Sequence, residues 1–244
     1  MTLLAVFAAG GPVIPDYGKP SSCVANNGTF CLPWFTQHWS SIFQPALIQH
    51  IELTAVAVLV GFAISFFLAI AAHQARWLVA PVTFTTSLLY TIPSLTAFEI
   101  LVPITGLSRL TVEIPLIAYT LLVLFTNTLA GLSGVSADVR DAASGIGLTA
   151  RQILVRVELP LALPTIFAGL RVAIVTTVSL ATIAAFITPL GLGQPIFDAL
   201  SKGDFNTELV GAGVLAILIA LVADVLLVGA QRALTPWARS RRPV

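Results

Sequence analysis

The sequence predicts an all-α, polytopic membrane protein with about five transmembrane helices. Of its 244 residues, 57% are hydrophobic and only 9% are charged, whereas a soluble globular domain carries about 25% charged residues. The hydrophobic residues are gathered in apolar stretches of about 20 residues with at most one charged residue each, and about 20 residues is the length that a helix needs to cross a bilayer. The chain has room for about five or six such spans.

Composition also excludes several classes of protein. The 12 Lys and Arg residues are balanced by 11 Asp and Glu residues, so the chain lacks the basic excess that a nucleic-acid partner requires. The high apolar content excludes a disordered chain, and the low charge excludes an ordinary cytosolic enzyme.

Five spans are predicted from the apolar stretches. They cover residues 53–72, 77–103, 114–132, 161–187 and 209–230. The second span contains Pro81, Pro93 and Glu99. Its outer half is therefore expected to be bent or partly unwound, and to be buried against protein.

Small residues recur at three to four positions along the fifth span, at Gly213, Ala216, Ala220 and Ala223. Two interpretations stay open. The residues form a smooth face for close helix packing, or they are apolar filler.

The basic residues predict the orientation of the chain. If the C-terminus is cytoplasmic, eight of them lie inside and three outside, as the positive-inside rule requires. The inner ones are Arg76, Arg140, Arg151, Arg156, Arg232, Arg239, Arg241 and Arg242, and the outer ones are Lys19, Arg109 and Lys202. The chain then divides into an extracytoplasmic N-terminal arm (1–46), a transmembrane domain (47–232) and a basic cytoplasmic tail (233–244).

Two cysteines, Cys23 and Cys31, flank the turn-forming residues 26–28 in the predicted outer arm. A disulfide persists in that compartment, and the turn suits the chain reversal that it would close. The alternative is a pair of free thiols. The spacing matches no metal or redox motif, and no metal site is expected.

The longest polar segment within the hydrophobic block covers residues 138–164. It predicts a short helix over 138–144, a break at Gly145 and Gly147, and a second helix over 150–159 with Thr149 as its cap. Pro160 and Pro164 mark the return to the bilayer. The segment has no cluster of His, Cys or paired carboxylates, so we expect a docking element that lies at the membrane surface.

The residues of this segment carry a resemblance to a known family. Asp141-Ala142-Ala143, three residues, Gly147, nine residues and then Val157-Glu158-Leu159-Pro160 resemble the EAA loop of permease subunits of bacterial, binding-protein-dependent (type I) ABC importers. Asp141 replaces the family's Glu, and Val157 replaces its Ile. Both changes conserve charge or shape.

Three other stretches resemble permeases of glycine betaine, choline and carnitine uptake systems. They are residues 91–108, 127–132 and 159–193, and the likeness extends over about 47–230. The arm has no recognised counterpart. Thr188-Pro189-Leu190 departs from the glycine-rich loop of that family, which leaves the shape of the outer gate and the substrate open.

The resemblance implies a bacterial cytoplasmic-membrane permease that imports a small quaternary ammonium solute. Its EAA loop would dock on a cytoplasmic ABC ATPase subunit, and the residues of this coupling would be Asp141, Ala142, Ala143, Gly147, Leu159 and Pro160. Other implied partners are a second permease, an extracytoplasmic substrate-binding protein and membrane lipid, and no nucleic acid. No cofactor is expected on this chain, which has no GxxxxGK[ST] motif and is no enzyme; ATP and Mg would bind the partner ATPase.

Charged residues within spans are candidate functional residues. Arg171 and Asp224 each lie about 10 to 12 Å from the cytoplasmic boundary, so they would form an intramembrane ion pair, or Arg171 would snorkel while Asp224 faces a wet cavity. Glu99 would meet a cationic substrate or lie at the interface. Aromatic faces recognise quaternary ammonium groups, which makes Tyr90, Phe98 and Tyr119 candidates for the translocation path, although such residues also face lipid or core.

There are three alternatives to this interpretation of the function. An ABC permease for amino acids or another small solute would share the coupling loop. A secondary transporter would usually show internal repeats, and none is found. A membrane-embedded enzyme would need clustered catalytic groups, whereas His38, His50 and His73 are scattered.

Overall fold

The computed structural model describes residues 22–201, 203 and 205–239. All regular structure in this part of the chain is helical, which confirms the predicted fold class. Four helices are long and apolar enough to cross a membrane, and a bent pair of helices brings the number to five if it counts as one span. These numbers agree with the predicted count of about five.

The first long helix begins well before the predicted span. Two short helices, α1 (Ser22–Asn26) and α2 (Leu32–Gln37), lead through a π-helical turn (Trp39–Phe43) into α3 (Gln44–Gln74). The predicted boundary at residue 46 thus falls inside a helix. Pro45 does not end it, because the first turn of a helix tolerates proline. Hydropathy indicated the apolar part of this helix but not its full length.

The second span is broken, as predicted, but its outer half is not buried as expected, because Phe98 is the one buried residue of the described range 94–105. It consists of α4 (Val79–Thr91) and α5 (Ser94–Thr105), which meet at an angle of 93°. Ile92 between them is extended, with φ −64° and ψ 129°, because the residue before a proline is disfavoured in the helical region. The hydroxyl of Tyr119 donates a hydrogen bond to the Ile92 carbonyl at this break.

The remaining helices complete the bundle. They are α6 (Arg109–Ser133), α7 (Ala137–Gly145), α8 (Ala150–Ile153), α9 (Leu159–Ala184), α10 (Gly193–Ser201) and α11 (Asn206–Leu234). The largest packing surfaces join α3 to α6 and α6 to α9. The core between them is built from Leu53, Ala57, Phe98, Val112, Leu116, Ala181 and Ala184.

Close helix packing depends on Gly61 and Gly169, whereas the glycine indicated by the sequence was Gly213. A Cβ on Gly61 would lie 1.9 Å from Thr120 Oγ1, and one on Gly169 would lie 2.6 Å from the Cβ of Asn127. Small residues let helices approach in this way when lipid supplies no hydrophobic driving force. In the fifth span Ala216 is buried against α3 and α9, whereas a Cβ on Gly213 would meet nothing within 4 Å. The small-residue face is therefore a packing face at Ala216 but not at Gly213.

The described part of the arm is fastened to the start of α11. Cys23 and Cys31 form a disulfide, and the Cys31 N–H donates to Thr207 Oγ1 at 3.0 Å. Asn27 Oδ1 accepts the N–H of Asn206 at 3.0 Å, while the Asn206 side-chain amide donates to the Asn27 carbonyl at 3.1 Å. Asn27 thereby satisfies one of the first helical N–H groups, which have no partner within their own helix.

Removing the disulfide should loosen this arm. Closing a loop of this size contributes about 2 to 3 kcal/mol by constraining the unfolded chain. We therefore expect the double variant Cys23→Ser/Cys31→Ser to show faster amide hydrogen exchange over residues 22–43, with unchanged exchange over 137–160. Equal exchange in the wild type and the double variant would show that the contacts of Asn27 and Thr207 hold the arm without the disulfide.

Candidate coupling site

The loop between the third and fourth spans contains a sharp turn at Gly147. Gly147 has φ +87°, a conformation that glycine adopts readily and L side chains disfavour. The Leu148 N–H donates to the Ala143 carbonyl at 3.2 Å, and the Gly147 N–H donates to the Ser144 carbonyl at 2.9 Å. This pair of bonds is the Schellman pattern that ends a helix at a glycine, and it ends α7 as the sequence predicted.

The next helix begins at the predicted cap. Thr149 Oγ1 accepts the N–H of Gln152, and the Gln152 side chain accepts the N–H of Thr149 at 2.8 Å. This reciprocal arrangement is a capping box. The turn at Gly147 and the cap at Thr149 together fix the angle between α7 and α8.

The second half of the loop differs from the prediction. Residues 150–159 were expected to form a separate surface helix, but α8 passes through a π-helical turn (Leu154–Glu158) directly into α9. The result is one continuous helix, Ala150–Ala184, of 35 residues. Pro160 has no N–H to donate, and the π-helical turn lies directly before it, so the helix absorbs the proline instead of ending there.

Glu158 joins three elements at this point. Glu158 is only 5% exposed. His73 Nε2, at the end of α3, donates to Glu158 Oε2 at 3.2 Å. A terminal guanidinium nitrogen of Arg140, on α7, lies 3.5 Å from Glu158 Oε1. Both halves of the loop are thus tied to the end of the first long helix.

The predicted coupling residues divide into an exposed and a packed group. Asp141 and Ala142 are exposed, and Ala143 is buried. Leu159 packs against a cluster that includes Leu132 and Ile166. An open cleft of about 890 Å³ separates α7 from the helix that follows it, and Asp141 and Glu158 both line it.

Four residues of this site were not predicted from the sequence. Ile146 is 79% exposed at the tip of the turn, so its apolar side chain is available for contact with a partner. His73, Arg140 and Glu158 were missed because they meet only in the fold: His73 and Glu158 are 85 positions apart. A carboxylate inside the apolar stretch that follows Arg156 was the available signal.

The predicted path residues lie near the break in the second span. The Tyr90 and Tyr119 rings meet edge to face, with centroids 5.8 Å apart. Glu99 is exposed, and Phe98 is fully buried in the core. The break turns α5 across the bundle and brings Phe98 between α3 and α9. That these residues line the translocation path stays a prediction.

Arg171 and Asp224 lie side by side on α9 and α11. Arg171 Nε is 2.6 Å from Asp224 Oδ1, and a terminal nitrogen of Arg171 is 2.9 Å from Asp224 Oδ2. Two parallel bonds of this kind are the strongest geometry for an arginine and a carboxylate. Of the two arrangements left open by the sequence, the structure has the ion pair.

Comparison with known protein families identifies the family of this chain. Residues 61–240 match the family described as "Binding-protein-dependent transport system inner membrane component". The chain belongs to this family. With its four or five candidate spans, this family member is a multi-pass membrane protein, as predicted.

Two relatives of this chain are named as permease proteins for osmoprotectants or choline. The osmoprotectant import permease protein OsmW of Salmonella typhimurium is 36% identical over 193 residues, which cover 77% of this chain and 89% of that protein. The choline transport system permease protein OpuBB of Bacillus subtilis is 30% identical over 194 residues, covering 79% of this chain and 88% of the relative.

The fold has a solved counterpart. A chain of the MetNI methionine ABC transporter, in an inward-facing conformation, superposes with a TM-score of 0.71 at 17% identity. The superposition covers 84% of this chain and 100% of that chain. This likeness shows that the chain has an ABC importer permease fold, as its coupling-loop motif predicted.

Proposed function

We propose that this chain is the membrane-spanning subunit of an ATP-driven importer for small quaternary ammonium solutes, such as glycine betaine, choline or carnitine. The observation that carries the proposal is the α7–Gly147–α8 turn, which holds Asp141, Ala142 and Ile146 exposed at one end of a permease-family bundle. The names of the relatives support the choice of substrate class.

The turn is suited to dock in a groove of a cytoplasmic ATPase subunit. Ala142 allows close backbone approach, and Ile146 offers an apolar anchor of the kind that is buried at the centre of interfaces. Asp141 lies on a short helix whose first turn also carries Asp138. ATP and Mg bind the partner subunit in this proposal, so the chain itself only receives and transmits motion.

Transmission follows from the continuity of the loop with the bundle. A force on α8 passes directly into α9, because the two belong to one helix. It also reaches α3 through the contact between Glu158 and His73. Movement of the ATPase would thereby shift two spans together, which is the rigid-body motion that alternating access requires.

The remaining partners are a second permease, identical or homologous, and an extracytoplasmic binding protein that delivers the solute. The eight-to-three distribution of basic residues supports an N-terminus outside and a C-terminus in the cytoplasm. The disulfide in the arm is consistent with that orientation, because disulfides persist outside the cytoplasm.

The assembly is tested by purifying the tagged chain from its native membrane and identifying the proteins that accompany it. We expect an ABC ATPase with the wild type and loss of at least about 90% of it with Ile146→Asp, because a carboxylate at an apolar anchor costs 2 kcal/mol or more. Leu107→Asp is the matched control. It places the same charge on an exposed apolar residue in the turn before α6, so ATPase recovery should be unchanged.

Two outcomes would contradict the assembly. One is the absence of any ATPase under conditions that keep known transporters intact, and the other is equal loss with Ile146→Asp and Leu107→Asp. The substrate class is tested by uptake into cells that lack other osmoprotectant importers. Labelled glycine betaine, choline or carnitine should accumulate, and labelled methionine should not; the reverse result would favour the amino-acid alternative.

A further inference from the structure

A second cleft, which shares His73 and Arg140 with the coupling site, lies where the ends of α3 and α6 meet the beginnings of α4 and α7. Its volume is about 550 Å³. Its polar lining consists of His73, Arg76, Ser133 and Arg140, and none of the described residues that line it is acidic. We call it the basic cleft. Glu158 contacts both His73 and Arg140 from outside the cleft, so the positive charge that favours an anion here comes from Arg76.

The cations of the basic cleft have unused hydrogen-bonding capacity. Arg76 is exposed and makes no ion pair with any described residue. Arg140 reaches Glu158 with one nitrogen at 3.5 Å, although a guanidinium carries five N–H donors. Two arginines that converge on one cleft can bind a phosphate through several charge-assisted bonds.

The surroundings place the basic cleft at a membrane–water boundary. Trp77, the residue after Arg76, is 75% exposed, and exposed tryptophans concentrate at the headgroup level of bilayers. An apolar groove of about 370 Å³ adjoins this turn, lined by Leu68, Trp77, Leu78, Pro81, Leu89 and Leu121 among others. Arg76 and Val79 line the cleft, whereas Trp77 and Leu78 line the groove, so the two meet at the turn before α4.

We propose that the basic cleft binds the phosphate headgroup of an anionic phospholipid, with an acyl chain packed against the neighbouring apolar groove. A basic pocket between helices at the membrane surface suits such headgroups, and the groove explains why an amphiphile fits better than a free anion. The proposal goes beyond the proposed function. The lipid proposal rests on the proposed function only for the choice of leaflet. That leaflet is the cytoplasmic one, because the cleft shares Arg140 with the coupling loop.

Native mass spectrometry of the complex, purified in mild detergent with its partners, tests this site. Phosphatidylglycerol and zwitterionic phosphatidylcholine are added in equal amounts, and retained lipids are counted. The wild type should retain phosphatidylglycerol in preference. Arg76→Gln should lower that retention about fivefold, the effect of one basic residue near the surface, without changing retention of phosphatidylcholine. Arg156→Gln is the matched control, since Arg156 is also an exposed arginine but lines neither cleft nor groove.

Three results would overturn the proposal. They are equal retention of the two lipids by the wild type, an equal loss in Arg76→Gln and Arg156→Gln, and displacement of phosphatidylglycerol by inorganic phosphate at equimolar concentration. The last result would indicate a site for free phosphate. The same spectra report whether an ATPase is bound, so failure of the lipid site is distinguishable from failure of the proposed assembly.

Discussion

The variant Glu158→Ala is expected to hydrolyse ATP in complex with its partner while transporting at least about tenfold less solute per ATP. The carboxylate is the group that joins α7 to the end of α3, through Arg140 and His73. Without it the docking turn remains, because its cap and its glycine turn are local. The link from the docking turn to α3 is lost and only the continuous helix from α8 to α9 remains, and coupling energies of about 1 to 3 kcal/mol correspond to factors of about 5 to 150.

The measurement is the ratio of uptake to ATP hydrolysis in reconstituted vesicles. Glu158→Gln should recover part of the ratio, because its amide oxygen still accepts a hydrogen bond from His73. Asp138→Ala is the control, since it removes a carboxylate from the exposed first turn of the same loop and should leave the ratio unchanged. An unaltered ratio in Glu158→Ala, with the ATPase still bound, would show that α9 alone carries the motion.

Gly147 and Glu158 differ in whether a linear sequence motif can predict their structural role. The spacing from Asp141 to Pro160 predicted the helix end and the turn, because these depend on backbone conformation within a few residues. The contact between Glu158 and His73 joins positions 85 apart, so no local pattern contains it. The coupling turn was predictable, and its attachment to the bundle was not.

The helix boundaries that were missed have a common physical cause. Hydropathy measures which residues prefer lipid, whereas a helix continues as long as its backbone hydrogen bonds are satisfied. The first long helix, α3, therefore begins at Gln44, nine residues before the predicted span, which starts at residue 53. Pro160 was interpreted as a boundary, but a π-helical turn accommodates it. Pro93, by contrast, follows an extended residue and does break its span.

The sequence predicted how deep Arg171 and Asp224 lie in their helices, but not whether the two side chains are in contact. Arg171 and Asp224 were placed at similar distances from the same boundary, which made contact feasible but did not exclude separate environments. The orientation of each helix about its own axis decides between these arrangements, and it depends on the packing of α9 against α11. That packing brings the two side chains into a two-bond contact.

Reversing either charge of this pair should strongly reduce the amount of folded protein. In Arg171→Asp two carboxylates face each other within the spans, and in Asp224→Arg two guanidinium groups do. An uncompensated charge at the centre of a membrane helix costs about 2.5 to 3.5 kcal/mol. We therefore expect at least about a tenfold loss of monodisperse protein in each single variant, measured by fluorescence-detected size exclusion of the tagged chain.

The double reversal, Arg171→Asp/Asp224→Arg, should restore at least half of the wild-type amount, because the same two bonds can form in the opposite direction. Arg156→Asp controls for charge reversal as such, since Arg156 is exposed on the loop before α9, and it should behave as the wild type. If the double variant is as poor as the sum of the two single variants, the residues contribute independently. Recovery in the double variant alone would mean that the ion pair stabilises the packing of α9 against α11, the two helices that follow the coupling loop.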